Sequence, residues 1–402
     1  MRRHAVSVLL VGAVWLAATA APAQTPFAMQ GLGQNVATGT ARDTGRGGWG
    51  MADTDTLTPG TLNPAALADL RFAGLIFSGY GERISSEGLG IERTSYRTYL
   101  PNVRVVAPLR AGRLALHAGF DVRRSMQWDS VRELDRVHFD REVLGRESYE
   151  REGTLFAVPV GLSWRASSAL AVGVTANLIR GTIDEQITQV LGDSLGGFAS
   201  NIRQQRDALT GANVTLAALW SPFDRLSLGA SYATPYDLTF DREVNLGGVG
   251  ERFTDELTAS MPAEYRAGLV LRLSEHWRFG ADGQLARYSE LTGRPDWEPY
   301  LRDEWMLAAG LERPLVRAER GRGYSPPLRF GFQWRHWAHA VGGPPVHERV
   351  ISVGTGFPFE NRLGMIDLSL SYAWIGDLED NGYRSSAWRL GVSITGLERL
   401  VF

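Results

Sequence analysis

The chain has 402 residues and a formal charge of -2, with 42 basic against 44 acidic side chains. It therefore presents no strong field to nucleic acid or to an acidic surface. It has no cysteine, which excludes disulfides, thiolate metal sites, a cysteine nucleophile and a lipid anchor on an N-terminal cysteine.

The first element in chain order reads as a secretory signal over 1–23. Arg2, Arg3 and His4 form a basic start, and Val6 to Ala20 is an apolar stretch. At roughly 15 residues that stretch is too short for a stable span. Ala21-Pro22-Ala23 is a small-x-small cleavage site, so the mature chain is expected to begin at Gln24. No later run reaches the ~18 apolar residues of a transmembrane helix.

Residues 24–70 do not alternate. They are rich in Gly, Thr, Asp and Ala, yet also hold Phe27, Met29, Leu32, Trp49 and Met51. A pure linker has no need of such side chains, so the segment is expected to form a compact plug.

From 71 to 402 a period of two dominates. Leu170, Val172, Val174, Ala176 and Leu178 share one face; Ala171, Gly173, Thr175 and Asn177 share the other. About fourteen strands are expected, near 71–82, 95–109, 112–127, 149–165, 168–183, 203–220, 225–240, 254–273, 276–290, 301–315, 327–338, 346–357, 364–376 and 384–395. Many exceed the ~5–6 residues of soluble strands and match the ~9–11 of tilted bilayer-spanning strands. Short turns such as 110–112 and 166–167 alternate with long polar connections near 128–148, 184–202, 241–253 and 291–300. Trp164, Trp220 and Trp277 fall at the short-turn rim; Trp305, Trp337, Trp374 and Trp388 fall at the other. These features predict an all-β transmembrane antiparallel barrel in a Gram-negative-type outer membrane. Both termini are expected on the periplasmic side, and the terminal Phe402 suits handling by the barrel assembly machinery.

Ala41-Arg42-Asp43-Thr44-Gly45-Arg46-Gly47-Gly48-Trp49-Gly50, then Asp53-Thr54-Asp55-Thr56, then Asn63-Pro64-Ala65-Ala66-Leu67 precede the first strand. This order resembles the N-terminal hatch of the FadL/TodX-type outer-membrane transporters of hydrophobic compounds, with Ala66 where a glycine is usual. Gly47, Gly48, Asn63, Pro64 and Ala65 carry the resemblance. It implies a plugged barrel that captures an apolar molecule outside, holds it in the lumen and releases it sideways at a kinked strand. Phe27, Met29 and Leu32 would line the pocket, while Val190, Leu191 and Phe198 would form a capture surface. Gly119 on the third strand would allow a bend, and His117 and Asp121 on its inward face either line a polar lumen or take part in binding. Pro159, Pro235 and Pro262 interrupt alternating runs and mark bulges, strand ends or a gate.

The expected function is passive uptake of hydrophobic molecules such as long-chain fatty acids. The alternatives are a PorV-like barrel scaffold in a secretion or surface-attachment machine and, third, a general porin. Inward arginines, among them Arg104, Arg266, Arg272, Arg278 and Arg335, would set anion preference in an open pore or pair with acids in a closed one. His336, His339 and His347 gather near one outer loop without metal-ligand spacing, so no metal, cofactor or enzymatic activity is expected. The expected contacts are apolar small molecules and outer-membrane lipid, and no nucleic acid.

Overall fold

The computed structural model describes residues 25–398 apart from 30, 38, 89–90, 139–140, 194–197, 248–250, 295–296, 298–299, 318–323, 341–342 and 360–362. The expected signal segment 1–23 and Phe402 lie outside the described residues.

Fourteen antiparallel strands close into a barrel. They are β1 (Ala73–Gly88), β2 (Ile91–Arg110), β3 (Leu114–Ser125 and Trp128–His138), β4 (Arg141–Arg165), β5 (Leu170–Asp193), β6 (Phe198–Phe223) and β7 (Leu226–Ala233 and Tyr236–Leu246). The second half holds β8 (Glu251–Met261 and Glu264–Arg272), β9 (Arg278–Ala286), β10 (Glu304–Arg313), β11 (Leu328–Ala340), β12 (Pro345–Pro358), β13 (Gly364–Ile375) and β14 (Arg384–Glu398). Closure is the pairing of β14 with β1, from Ala73↔Glu398 to Glu87↔Arg384. Closing the sheet removes every long edge, the condition for a sheet to stand in lipid.

The side-chain polarity is that of a membrane barrel. Val174, Leu178, Leu216, Phe330, Phe332, Ile351 and Leu370 are all exposed on the outer face. Ser163, Thr175, Asn177, Ser369 and Ser393 are buried on the inner face. Trp164, Trp220, Trp374 and Trp388 are 43–49% exposed, in two outer belts. Trp337 departs from the expected belt: its odd parity on β11 turns it inward, where it is 1% exposed against Phe27.

Three connections expected as loops are strands. β4, β5 and β6 run for 25, 24 and 26 residues, and paired strand takes up much of 128–148, 184–202 and 241–253. The apolar outer band on β5 ends at Leu178; above it Arg180, Thr182, Asp184, Gln186 and Thr188 follow with the same parity. With both faces in water, apolarity no longer alternates, which is why these hairpins read as loops. About twelve residues of each strand rise beyond the bilayer, on the order of 40 Å along the strand at ~3.3 Å per residue. β9 and β10, with 9 and 10 residues, have no such extension. The barrel thus carries a tall wall on one side only.

Pro235 and Pro262 sit where β7 and β8 break, facing each other across the ladder, since Ala233↔Glu264 and Tyr236↔Met261 flank the gap. Pro159 pairs with Asn177 on β5, while β4 leaves Val158 and Pro159 unpaired opposite Gly119 and Phe120 of β3. A proline has no N–H to give that ladder.

The segment 25–70 fills the lumen, as expected of a plug. It begins at the end bearing the long hairpins, with Thr25–Ala28 buried, and descends to a short turn (Pro64–Asp69) at the other end before β1. The barrel's strands do start and finish at the short-turn end. The first described plug residues, Thr25–Ala28, lie at the opposite end, and the chain descends the lumen to enter β1.

The wall is shaped to receive the plug. Consecutive strands place glycine where the plug backbone passes: Gly354 against Gly45, Gly331 against Gly47, Gly280 against the Trp49 ring, and Gly229 against Met51. A Cβ at Gly331 would overlap the backbone nitrogen of Gly47, which no rotamer change relieves. Gly331→Val is therefore expected to destabilise the folded barrel by about 3 kcal/mol or more. Gly79→Ala, with open space around its Cβ, is expected to be silent. Heat-modified mobility on electrophoresis, followed against temperature, reads both.

A charge-locked plug as the candidate functional site

The lower plug is held by local structure that the hatch motif encodes. A short helix, α1 (Ala41–Gly45), starts at Thr40, whose side chain accepts from Asp43 N while the Asp43 carboxylate accepts from Thr40 N. This capping box satisfies two otherwise orphaned donors. Gly47 and Gly48 then take φ of 88° and 91°, open to glycine without strain. Asn63 caps the Pro64 turn by accepting from Ala65 N at 2.9 Å. Its amide also donates to Met51 O at 2.6 Å and to Ala218 O on β6 at 3.1 Å. Pro64 sits where a helical turn needs no N–H, and its carbonyl accepts from Ser163 of β4 at 2.7 Å.

Around α1 the charges of plug and wall interleave. Glu312 on β10 is 1% exposed and meets Arg42 at 2.9 Å and Arg46 at 3.1 Å from the plug. The same carboxylate meets Arg278 and Arg329 of the wall, each at 3.0 Å. Asp53 of the plug meets Arg42 and Arg46 at 2.9 Å. Arg46 also contacts Asp43 at 2.6 Å and lies 4.0 Å from the Trp49 ring centroid. Asp367 on β13 takes Arg329 at 2.7 Å. Asp282 on β9 accepts from Gly50 N at 2.7 Å and Met51 N at 2.9 Å. Burial pushes the Asp53 carboxyl up, but Arg42, Arg46 and Arg278 outweigh it and hold the group down to about 2.

Above this layer lies a residual cavity of about 130 Å³. Leu32, Leu155, Ile179, Tyr236 and Met261 line one part, and Asn102, Arg104, Asp121, Arg124, Glu304 and Arg335 another. The charges around it are paired: Arg104 with Asp121 at 2.7 Å, and Arg124 with Glu304 at 2.8 Å. Higher still, Arg151 of β4 donates to the plug carbonyls of Met29 at 2.6 Å and Ala28 at 3.3 Å. Phe27 packs edge-on against Trp337 with centroids 5.8 Å apart.

The expected pocket residues therefore separate. Leu32 lines the cavity. Phe27 is fully buried in the upper cluster, and Met29 is half-buried at the Arg151 clamp. Val190 is 46% exposed on the outside of the tall wall, and Leu191 is half-buried beside it. Phe198 begins β6 opposite Gly192, and its side chain lies outside what is described. These three stand far up the wall and form no common site with Leu32. At the third strand, His117 accepts from or donates to Thr175 Oγ1 at 3.0 Å, and Asp121 binds Arg104 and the Asn102 amide. Of the inward arginines, Arg266 has Glu264 at 3.4 Å, Arg278 joins the network and Arg335 has Glu304 at 3.5 Å. Arg272 instead stands exposed at the rim. Glu312, Arg329, Asp367 and Asp282 were not singled out in sequence. Each has inward parity on an alternating strand, where a charge calls for a partner, and that was the available signal.

A family model described as BamG matches residues 1–395. Among solved structures, the toluene transporter TbuX of Ralstonia pickettii superposes with a TM-score of 0.61 at 14% identity, covering 89% of this chain and 98% of that one. A FadL homologue of Pseudomonas aeruginosa gives 0.58 at 15% identity, covering 89% and 98%. The toluene transporter TodX of P. putida gives 0.57 at 15%, covering 90% and 99%. At these identities the likeness is one of fold. No curated protein matches the chain.

Glu312→Gln removes the carboxylate shared by four guanidiniums, and a loss of about 3–5 kcal/mol is expected from uncompensated buried charge. Denaturant unfolding followed by Trp fluorescence measures it. Asp53 is held below its unfolded value of ~3.9, so its contribution is complete above that pH and fades as pH falls toward about 2. Proteolysis of the plug in the folded barrel should therefore stay slow at pH 5 and accelerate between pH 4 and 2.

Proposed function

The chain belongs to the BamG family, and from that premise we propose that it is a sealed outer-membrane barrel serving as a non-enzymatic scaffold for partner proteins. One observation carries this reading: a charge-locked plug fills the lumen, and the cavity beside it among the described residues holds about 130 Å³. A pocket for a drug-sized ligand holds ~300–1,000 Å³. The wall, with its glycines set against the plug, supports a plug that stays in place. The tall side, polar on both faces above the membrane, supplies surface that a simple conduit has no use for.

A second reading, uptake of hydrophobic molecules by a sideways route, is favoured by a specific seam. β2 pairs with β3 only from Asn102↔Asp121 to Arg110↔Leu114. Higher up, the plug residues Gln34 and Asn35 occupy the β3 edge, pairing with Ser125 and Arg124. The cavity lies just inside, touching Asn35, Asn102 and Asp121. Passage would require Gln34–Asn35 to leave that edge.

Proteoliposomes distinguish the two. The scaffold reading expects no ion conductance and no faster entry of a fluorescent fatty acid or of toluene than into protein-free vesicles. It also expects stable co-purification of envelope proteins, lost when the β5–β6 hairpin above Ile183 and Asp207 is shortened. Accelerated entry that stops when Asn35→Cys is oxidised onto Arg124→Cys, and resumes on reduction, would replace it with the seam route. The absence of native cysteine makes that crosslink unambiguous.

A further inference from the structure

We propose that the outer face of β10–β13 holds the phosphate-bearing headgroup of an anionic lipid, at its long-hairpin rim. The proposal is independent of whether the barrel scaffolds or transports.

Register places six outward side chains side by side. Trp305 of β10 is opposite His336 of β11, which is opposite His347 of β12. One step toward the membrane centre, Trp334 of β11 is opposite Arg349, which is opposite Trp374 of β13. The rings touch: Trp305 stacks on His336 with centroids 5.7 Å apart and planes at 8°, His336 meets His347 at 5.1 Å, and Trp305 meets Trp334 at 4.9 Å. Directly below with the same parity come Leu307, Phe332, Ile351 and Leu370, all exposed. The patch is thus continuous with the lipid-facing band and lies at its upper margin, where headgroups begin.

Arg349 supplies a charge complementary to a phosphate, while Asp380 in the connection after β13 lies near enough to act on His347. Arg349 is exposed on the outer face and has no hydrogen-bond or ion-pair partner among the described residues. That separates it from the lumen arginines paired with acids in the locking layer and around the cavity. Two tryptophans flank it by register, so a bound headgroup is enclosed by aromatic faces while its acyl chains run down over Phe332 and Ile351. His336 donates its Nδ1–H to the Asp303 carbonyl at 2.6 Å, so its Nε2 donates to an anion only in the imidazolium form. The Arg349 guanidinium makes charge-assisted hydrogen bonds to such an anion, among the stronger polar contacts available, and a protonated imidazole beside it adds another. On the tall wall the outward charges are of both signs, with Arg206 at 3.5 Å from Asp184 and Arg252 at 2.5 Å from Glu243.

Native mass spectrometry of the full barrel in mild detergent tests this. The probes are phosphatidylglycerol, phosphatidylcholine of the same acyl chains, and inorganic phosphate as competitor. The expected result is one phosphatidylglycerol held at least tenfold more tightly than phosphatidylcholine, undisturbed by millimolar phosphate. Arg349→Gln with His336→Gln and His347→Gln should reduce that preference about tenfold, while Arg349→Lys retains most of it. A brominated phosphatidylglycerol should quench tryptophan fluorescence more than its phosphatidylcholine counterpart in the wild type, a readout that needs no variant. Equal affinity for the two lipids, or an undiminished preference in the triple variant, overturns the proposal. Displacement of the lipid by phosphate reassigns the patch to a free anion and overturns it as well.

Discussion

The structure turns on a single carboxylate. Glu312 projects inward from β10 and is contacted by two arginines of the plug and two of the wall. Removing a carboxylate and an arginine from water costs several kcal/mol each, and attraction in the interior offsets this only with close, hydrogen-bonded geometry. The network meets that condition by sharing. Asp43 and Asp53 of the plug and Asp367 of the wall take further guanidinium donors. An ion pair of this kind adds little net stability over a well-packed apolar contact, but it tolerates few alternatives. Sliding the plug by one residue would leave several buried charges without partners, so the network acts chiefly to set where the plug sits.

Charge sets the plug's position, and shape makes that position permanent. The inner surface has glycines on successive strands along the path of residues 45–52, so the backbone of the plug lies against the backbone of the wall. Trp49 and Met51 then fill the remaining volume and are fully buried. A plug that came and went would leave behind a wall with neither side chains nor favourable hydration along that track. Above the track the packing is more polar, and the cavity there is edged by ion pairs. Freedom to rearrange is thus concentrated in the upper plug and the seam beside β3, while the lower half behaves as part of the wall.

The barrel was legible because lipid inverts the usual rule: runs such as Leu328, Phe330, Phe332 and Trp334 announce an apolar outside. The hatch motif was legible for local reasons, since Asn63-Pro64 and Gly47-Gly48 encode a cap and two positive-φ turns. Two kinds of feature were hidden. The tall hairpins have water on both faces, so Glu150, Asp184 and Gln186 gave no alternation to read. The locking residues are hidden by distance along the chain: Arg42 and Glu312 are 270 positions apart, and nothing local to either identifies the other. Trp337 shows the same limit at one residue. It resembles a belt tryptophan until register gives it inward parity and Phe27 as a neighbour.

That separation also constrains assembly. The plug precedes every barrel strand in the chain, and while its upper end and its Pro64 turn bind β3, β4 and β6, the charges and backbone of its 41–51 stretch meet β9, β10 and β14. Contacts of such long range are slow to form because loop closure precedes any gain. A barrel closed first would have to admit a charged segment through its rim and strip it of water inside. Closing the seam of β14 with β1 after the plug is in place would keep each charge either hydrated or paired. The plug is then enclosed by the strands as they complete, and its upper end, clamped by Arg151, is left beside the one stretch of wall where β2 and β3 are not zipped together. The unzipped seam is thus the place where an enclosed plug can still respond to what happens outside the barrel.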